Sequence, residues 1–221
     1  PLADIVEFCR QWKARIGLPF SCLGSPATIS REKMDALLNA GLFYLQMGVQ
    51  TGSPRIQELF NRKAMGNEVM LAAMRIINAS KDRMFPPSYD FILDTPYETT
   101  ADRLESVRFI AQIPKPFRLQ PFSLVLYPGT KLHAMAAADG FLTDERRQVY
   151  TKSYTMRRPD YINLLILLAK GGRMPSRLLA LLASDAVAGV LVRPLFNPLW
   201  QGLFALMGPA KRLLRRVLGR V

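Results

Sequence analysis

The chain has 221 residues and a formal charge of +13, a length that accommodates one sizeable domain and an appendage. Cys9 and Cys22 are its two cysteines, which excludes a disulfide framework, matches no zinc spacing, and points to buried thiols in a reducing cytosol. Residues 1–145 carry 16 Lys and Arg against 15 Asp and Glu, whereas residues 146–221 carry 14 against 2, so a charge-balanced globular part precedes a basic extension that suits an anionic partner.

From Pro1 to Arg15 the residues Ile5, Val6, Phe8, Cys9 and Trp12 recur near helical spacing, without the zones of a signal peptide. The chain therefore reads as beginning inside a helix already under way. Ile16 to Leu23 reads as a short buried strand running into the turn Gly24-Ser25-Pro26. Ser30 is placed to cap a helix that buries Met34, Leu37 and Leu38, and Gly41 suits its end.

Leu42 to Val49 reads as a second strand, followed by Gln50-Thr51-Gly52-Ser53 and by the helix-starting pair Ser53-Pro54. A helix from about Asn67 to Ala79 leads to a third strand, Ser88 to Asp94, and Thr99 with Asp102 forms a capping box for the next helix. The fourth strand spans Arg118 to Leu126 and ends in Tyr127-Pro128-Gly129-Thr130.

Four strands alternating with helices predict parallel pairing and an α/β class, either an open sheet or an arc of a (β/α) barrel. In both, ligands sit at the carboxyl ends of the strands. One rim would hold Ser21 to Ser25, Gly48 to Ser53, Asp94 to Thr99 and Tyr127 to Thr130, although βα loops are polar in many proteins without binding anything.

Met47-Gly48-Val49-Gln50-Thr51-Gly52-Ser53, with Asn61-Arg62-Lys63 shortly after, resembles the fourth-strand signature of radical S-adenosylmethionine (SAM) domains. Tyr89 to Thr99 is similar to the fifth strand and its loop in that family, with Asp94 and Tyr97 in place of two glycines, and Phe122 to Thr130 resembles the sixth strand and its Pro-Gly-Thr turn. The three motifs stand in the family's order, in a style similar to members with an upstream cobalamin-binding domain.

The resemblance implies a partial (β/α) TIM-like barrel over residues 1–145, the carboxyl-terminal portion of a radical SAM barrel, followed over 146–221 by a basic, apolar helical extension. It implies SAM cleaved at a [4Fe–4S] cluster to give a 5′-deoxyadenosyl radical, with cobalamin-dependent methylation or another radical modification of a small or lipid-like metabolite. The family's C-x-x-x-C-x-x-C is missing from this sequence, so the cluster ligands and any cobalamin domain are expected outside it and the chain alone is expected to be inactive.

The SAM-contacting residues it implies are Gln50 first, then Gly48, Gly52, Ser21, Ser25, Ile92, Leu126 and Tyr127. Gln50 offers an amide donor and acceptor, and the glycines allow close backbone approach. Each has a structural alternative in a turn or the core. Asp90 and Asp94 suggest a carboxylate pair, but Asp94 receiving backbone donors in its loop, with Glu98 and Thr99 opening the next helix, is simpler. His133 reads as a packing or surface residue.

In the extension, Asp185, Arg193, Pro194 and Pro198 interrupt the apolar run before a membrane span accumulates. Lys211 to Val221 alternates leucines and valines with basic residues at helical spacing, as in a helix lying on an anionic lipid surface or capping the domain. Peripheral membrane contact is therefore expected alongside a cytoplasmic location, and nucleic acid is not. The rival to a catalyst is a degenerate barrel kept as a membrane-associated binding or scaffold protein.

Overall fold

The computed structural model describes residues 1–151 and 158–206. The Lys211 to Val221 segment lies outside them.

Helix α1 (Leu2–Arg15) is closed by Gly17 at φ +69, with the Ile16 and Gly17 amides both donating to the Trp12 carbonyl at 2.9 Å. That closure, not a strand, uses the apolar residues from 16 onward, and β1 is shorter than predicted, Phe20–Gly24. Ser30 caps α2 (Arg31–Asn39) through its side chain, and Gly41 turns the chain at φ +112 into β2 (Leu42–Gln50).

Next come α3 (Pro54–Leu59), α4 (Asn67–Asn78), β3 (Ser88–Leu93) and α5 (Thr100–Ile110), the last opened by the expected Thr99–Asp102 capping box. β4 runs over Arg118–Ser123 and stops short of the predicted Leu126. Its neighbour turns away at Asp94 (φ 59) after the Leu124 amide bonds to the Leu93 carbonyl at 2.8 Å, and a strand without a partner cannot extend its ladder.

The strands form one parallel sheet in the order β1-β2-β3-β4. The predicted α/β class with four parallel strands is what the chain adopts. Because side chains alternate across a strand, Leu45, Met47 and Val49 of β2 and Tyr89, Phe91 and Leu93 of β3 meet the helices in one core. The opposite face presents Tyr44, Gln46 and Gly48, then Asp90 and Ile92, all half-buried.

Beyond β4, α6 (Lys131–Ala138) is capped by Thr130 and covers a second cluster of Leu124, Leu126, Ala136 and Val149. α7 (Tyr161–Ala169), α8 (Ser176–Leu182) and α9 (Asp185–Leu191) follow, then a helix over residues 197–206. Tyr161, Ile162, Leu165 and Ile166 enter the main core, and the Leu119 amide of β4 donates to the Lys170 carbonyl at 2.8 Å. The change in charge near residue 146 thus does not coincide with a break in packing. Among the described residues no helix is long and apolar enough to cross a membrane.

Gly52 shows how tightly the β2 loop seats on α5. A Cβ there would lie 2.6 Å from Phe109 Cβ and 2.8 Å from Ser106 Cα, neither of which can swing aside. Gly52→Ala is expected to lower stability by about 1–3 kcal/mol, the usual cost of overpacking a core, read as a lower urea midpoint.

Candidate functional site

The half-buried face of the sheet opens at the strands' carboxyl ends into a cavity of about 710 Å³ lined by Gln50, Asn61, Asp90, Ile92, Phe122 and Tyr127 among others. Its chemistry follows from strand alternation. Ile92 and Phe122 give it an apolar floor, while Gln46 Nε2 donates to Asp90 Oδ2 at 2.8 Å beneath that floor. The other Asp90 oxygen is buried without a hydrogen-bond partner. Burial raises the Asp90 pKa, and the Gln46 bond opposes the rise.

Gln50 ends β2 at φ 72, where the register with β3 jumps between Gly48 and Gln50. Its side chain folds over Gly48, so that a Cβ on Gly48 would meet Gln50 Nε2 at 2.7 Å. On the same side Arg62 donates to the Gly48 carbonyl at 3.0 Å, and burial lowers its pKa. Asn61 (φ 54) and Asp94 (φ 59) complete the set of non-glycine residues with positive φ among the described residues, and all three stand on this rim. Such a backbone costs about 1–3 kcal/mol per residue and persists only where surrounding structure enforces it.

Asp102 fastens the loops that begin at Gln50 and at Asp94. Its Oδ1 accepts from Ser53 Oγ at 2.6 Å and from Arg55 Nε at 3.1 Å. Its Oδ2 accepts from the Thr99 amide at 2.8 Å, from Thr99 Oγ1 at 2.6 Å and from Arg55. Burial works to raise this carboxyl, but the bonds from Arg55, Ser53 and Thr99 outweigh it and hold Asp102 well below the usual carboxylate range. Ser106 Oγ accepts from the Gly52 amide at 2.9 Å, and Asn67 donates to the Gly52 carbonyl at 2.9 Å.

The other sequence-predicted residues disperse. Gly52 faces α5 and not the cavity. Ser21 lines a separate, largely apolar cavity of about 630 Å³ between α1, β1 and α2. Ser25 Oγ lies 3.4 Å from Met65 Sδ. Leu126 is buried under α6, while Tyr127 is exposed at the cavity mouth. His133 stands 3.5 Å from Glu145, mostly buried, as a packing residue.

The acidic loop departs from expectation. Asp94 Oδ1 accepts from Asn163 Nδ2 of α7 at 3.0 Å, not from its own loop, and Asp90 is paired with Gln46 instead. The carboxylate at the α5 amino terminus is Asp102, whereas Glu98 turns inward, both oxygens buried without hydrogen-bond partners. Burial pushes Glu98 up to about 7 against the pull of the Arg103 charge and the Thr95 amide. Sequence reasoning missed Asn61 and Asp90 as lining residues; the period-two pattern Ser88-x-Asp90-x-Ile92 was the available signal for Asp90.

Residues 1–110 match the family model of the Radical SAM superfamily. Among solved structures, coproporphyrinogen III oxidase (HemN) from Escherichia coli, a radical SAM enzyme, is 21% identical over 78% of this chain and 43% of its own, with a TM-score of 0.49. The radical S-adenosylmethionine methyltransferase TsrM from Kitasatospora setae, with cobalamin and a [4Fe-4S] cluster bound, is 18% identical over 62% of this chain and 27% of its own, with a TM-score of 0.48. The chain thus spans less than half the length of either structure.

Glu98 gives the site a pH signature. A carboxyl raised from 4.5 to about 7 on folding keeps its proton longer in the folded chain than in the unfolded one, so its contribution is full below about pH 4.5 and is lost as pH rises through about 7. The loss amounts to about 3 kcal/mol at most, at 1.36 kcal/mol per unit. Glu98→Gln should flatten the fall in urea midpoint between about pH 5 and about pH 8; equal slopes in the two proteins would show that Glu98 does not carry it.

Proposed function

We propose, on the match of residues 1–110 to the Radical SAM superfamily, that the cavity at the carboxyl ends of β2, β3 and β4 is one wall of an S-adenosylmethionine cradle. The observation that carries the reading is the conjunction at the end of β2: a strained Gln50 with its amide on the cavity, folded over a glycine beneath it. The donor set suits SAM. An amide donates and accepts toward the ribose hydroxyls or the amino acid end, Gly48 leaves the space that amide occupies, and Ile92 with Phe122 offers an apolar surface to adenine. Tyr127 would close the mouth, and backbone at Leu126, Gly52, Ser21 and Ser25 would act only as framework.

When bound beside a reduced [4Fe–4S] cluster, SAM supplies a 5′-deoxyadenosyl radical, so the protein's task is orientation and exclusion of water. The described residues do not fit the cluster itself. Cys9 is buried on α1, Cys22 packs against the main core, and burial pushes both thiols up. No group of three His, Cys, Asp or Glu side chains among the described residues could hold a metal ion. A cluster, and cobalamin if the whole enzyme uses it, would be held outside this chain, and the modified metabolite would be small or lipid-like.

Equilibrium dialysis against SAM tests the cradle without requiring turnover. Binding is expected to be saturable and to weaken about tenfold in Gln50→Ala, the loss of about one hydrogen bond's worth of free energy. Gly48→Ala should weaken it similarly at unchanged melting temperature, because the added methyl displaces only the end of the Gln50 side chain. Undiminished binding in both variants would place SAM elsewhere, and no binding to the unaltered chain would remove the support for a cradle.

A further inference from the structure

The last described helix presents an unusual surface. From Pro194 to Leu206 the sequence contains no charged residue. One side of the helix is satisfied: Trp200 is buried, packs against Tyr161 with ring centroids 5.0 Å apart and planes tilted by 45°, and donates Nε1 to the Leu191 carbonyl at 3.0 Å. The other side is bare. Leu199, Leu203 and Leu206, four and three residues apart and so on one helical face, are exposed by 52%, 39% and 65%, and Leu195, on the 3-10 turn that leads into the helix, by 82%. Leucines scattered singly over a surface need no explanation, but a helix apolar on both faces requires a cover.

The charge of the extension selects the cover. Arg173, Arg177 and Arg193 are exposed, Arg193 immediately ahead of the stripe, and Lys211, Arg212, Arg215, Arg216 and Arg220 follow in sequence. The two acids of the extension are both engaged, Asp160 with Arg103 and Arg158, and Asp185 with Arg108. An apolar stripe on an extension with 14 Lys and Arg against 2 Asp and Glu matches the layering of a bilayer surface, acyl chains below and anionic headgroups above. We infer that this face docks on an anionic lipid membrane, with the 197–206 helix lying in the plane of the interface and Leu199 and Leu203 entering the acyl boundary. Docking would hold the strand-end cavity close to the bilayer.

The experiment is flotation of the purified chain with vesicles of phosphatidylcholine alone or with about 30% phosphatidylglycerol, at low and high salt, with its mass followed by sedimentation. The chain is expected to float with the anionic vesicles, to release in high salt, and to lose at least tenfold in affinity in Leu199→Asp/Leu203→Asp at unchanged helicity and melting temperature. Leu195→Asp, at the most exposed position, provides the same comparison should the double variant fold poorly. Failure to float, or flotation undiminished in folded variants, would overturn the inference. So would a dimer that the substitutions dissociate without any vesicle binding, which would make a second copy the cover.

Discussion

Asp102 is the residue on which the rim depends. Two oxygens receive donors from Ser53, Arg55 and both the amide and hydroxyl of Thr99, so the loop after β2 and the loop after β3 are fastened to the first turn of α5. A capping box more often carries Glu or Gln at the third helical position. The shorter Asp keeps one oxygen against Thr99 while the other reaches the start of α3. Its side chain is 6% exposed against 55% for Arg55, so the anion is the buried partner, and hydrogen bonds to a charge of this kind contribute about 1.5–3 kcal/mol each. Removing the carboxylate would release two loops, not one helix cap.

That fastening explains how strain survives at Gln50. A left-handed conformation at a non-glycine residue relaxes unless its neighbours are fixed. The residues after it are held on every side: Thr51 Oγ1 lies 3.1 Å from Ser106 Oγ, Gly52 is pressed on Phe109, and Gln57 reaches the Thr51 carbonyl at 3.2 Å. The core beneath α4 and α5 is therefore part of the site's machinery. Packing at Met70, Met74, Phe109 and Ile110 sets the helices that set the loops, and the loops set one amide on a cavity wall. A rigid frame of this kind is what the proposed cradle would need, since orientation is a service that only fixed geometry supplies.

The order of elements was legible because its signals are local. Ser30, Thr99 with Asp102, and Gly41 each announce a helix end, and each does so in the structure. Strand lengths were not, because they depend on partners: β4 stops where β3 turns away, and Ile16 to Pro19 goes into closing α1. The site was half legible. Gln50, Gly48 and Ile92 come together, whereas Ser21 sits on β1 at a separate cavity and Gly52 presses on α5, since no local pattern says whether a loop residue such as Gly52 faces a cavity or the next helix. Asp102 keeps its expected place in the capping box, whereas Glu98 leaves the helix start for the same reason. Both are acids near a helix start, and only the tertiary position of Arg55 and Ser53 decides which of them is solvated by donors and which is buried without them.

The extension belongs to this argument and is not an ornament on it. Asn163 of α7 donates to Asp94 at 3.0 Å and accepts from Arg103 at 2.9 Å, while Arg103 also holds Asp160 at 2.7 Å. Asp94 is one of the strained rim residues, so the backbone at the end of β3 is held from above by a helix that lies beyond the residues matched to the superfamily. Through Tyr161 and Trp200 the same helix carries the 197–206 segment. A buried polar chain with every partner in place transmits position well, and the same low dielectric makes any vacancy in it expensive. The unpartnered Arg103 Nε and the Glu98 oxygens lie beside this network, next to α7, which joins the rim to the apolar surface. α5 shares that link, because Arg103 reaches Asn163 and Asp160 and the two helices meet in one core, so the rim and the extension are held as one packed body.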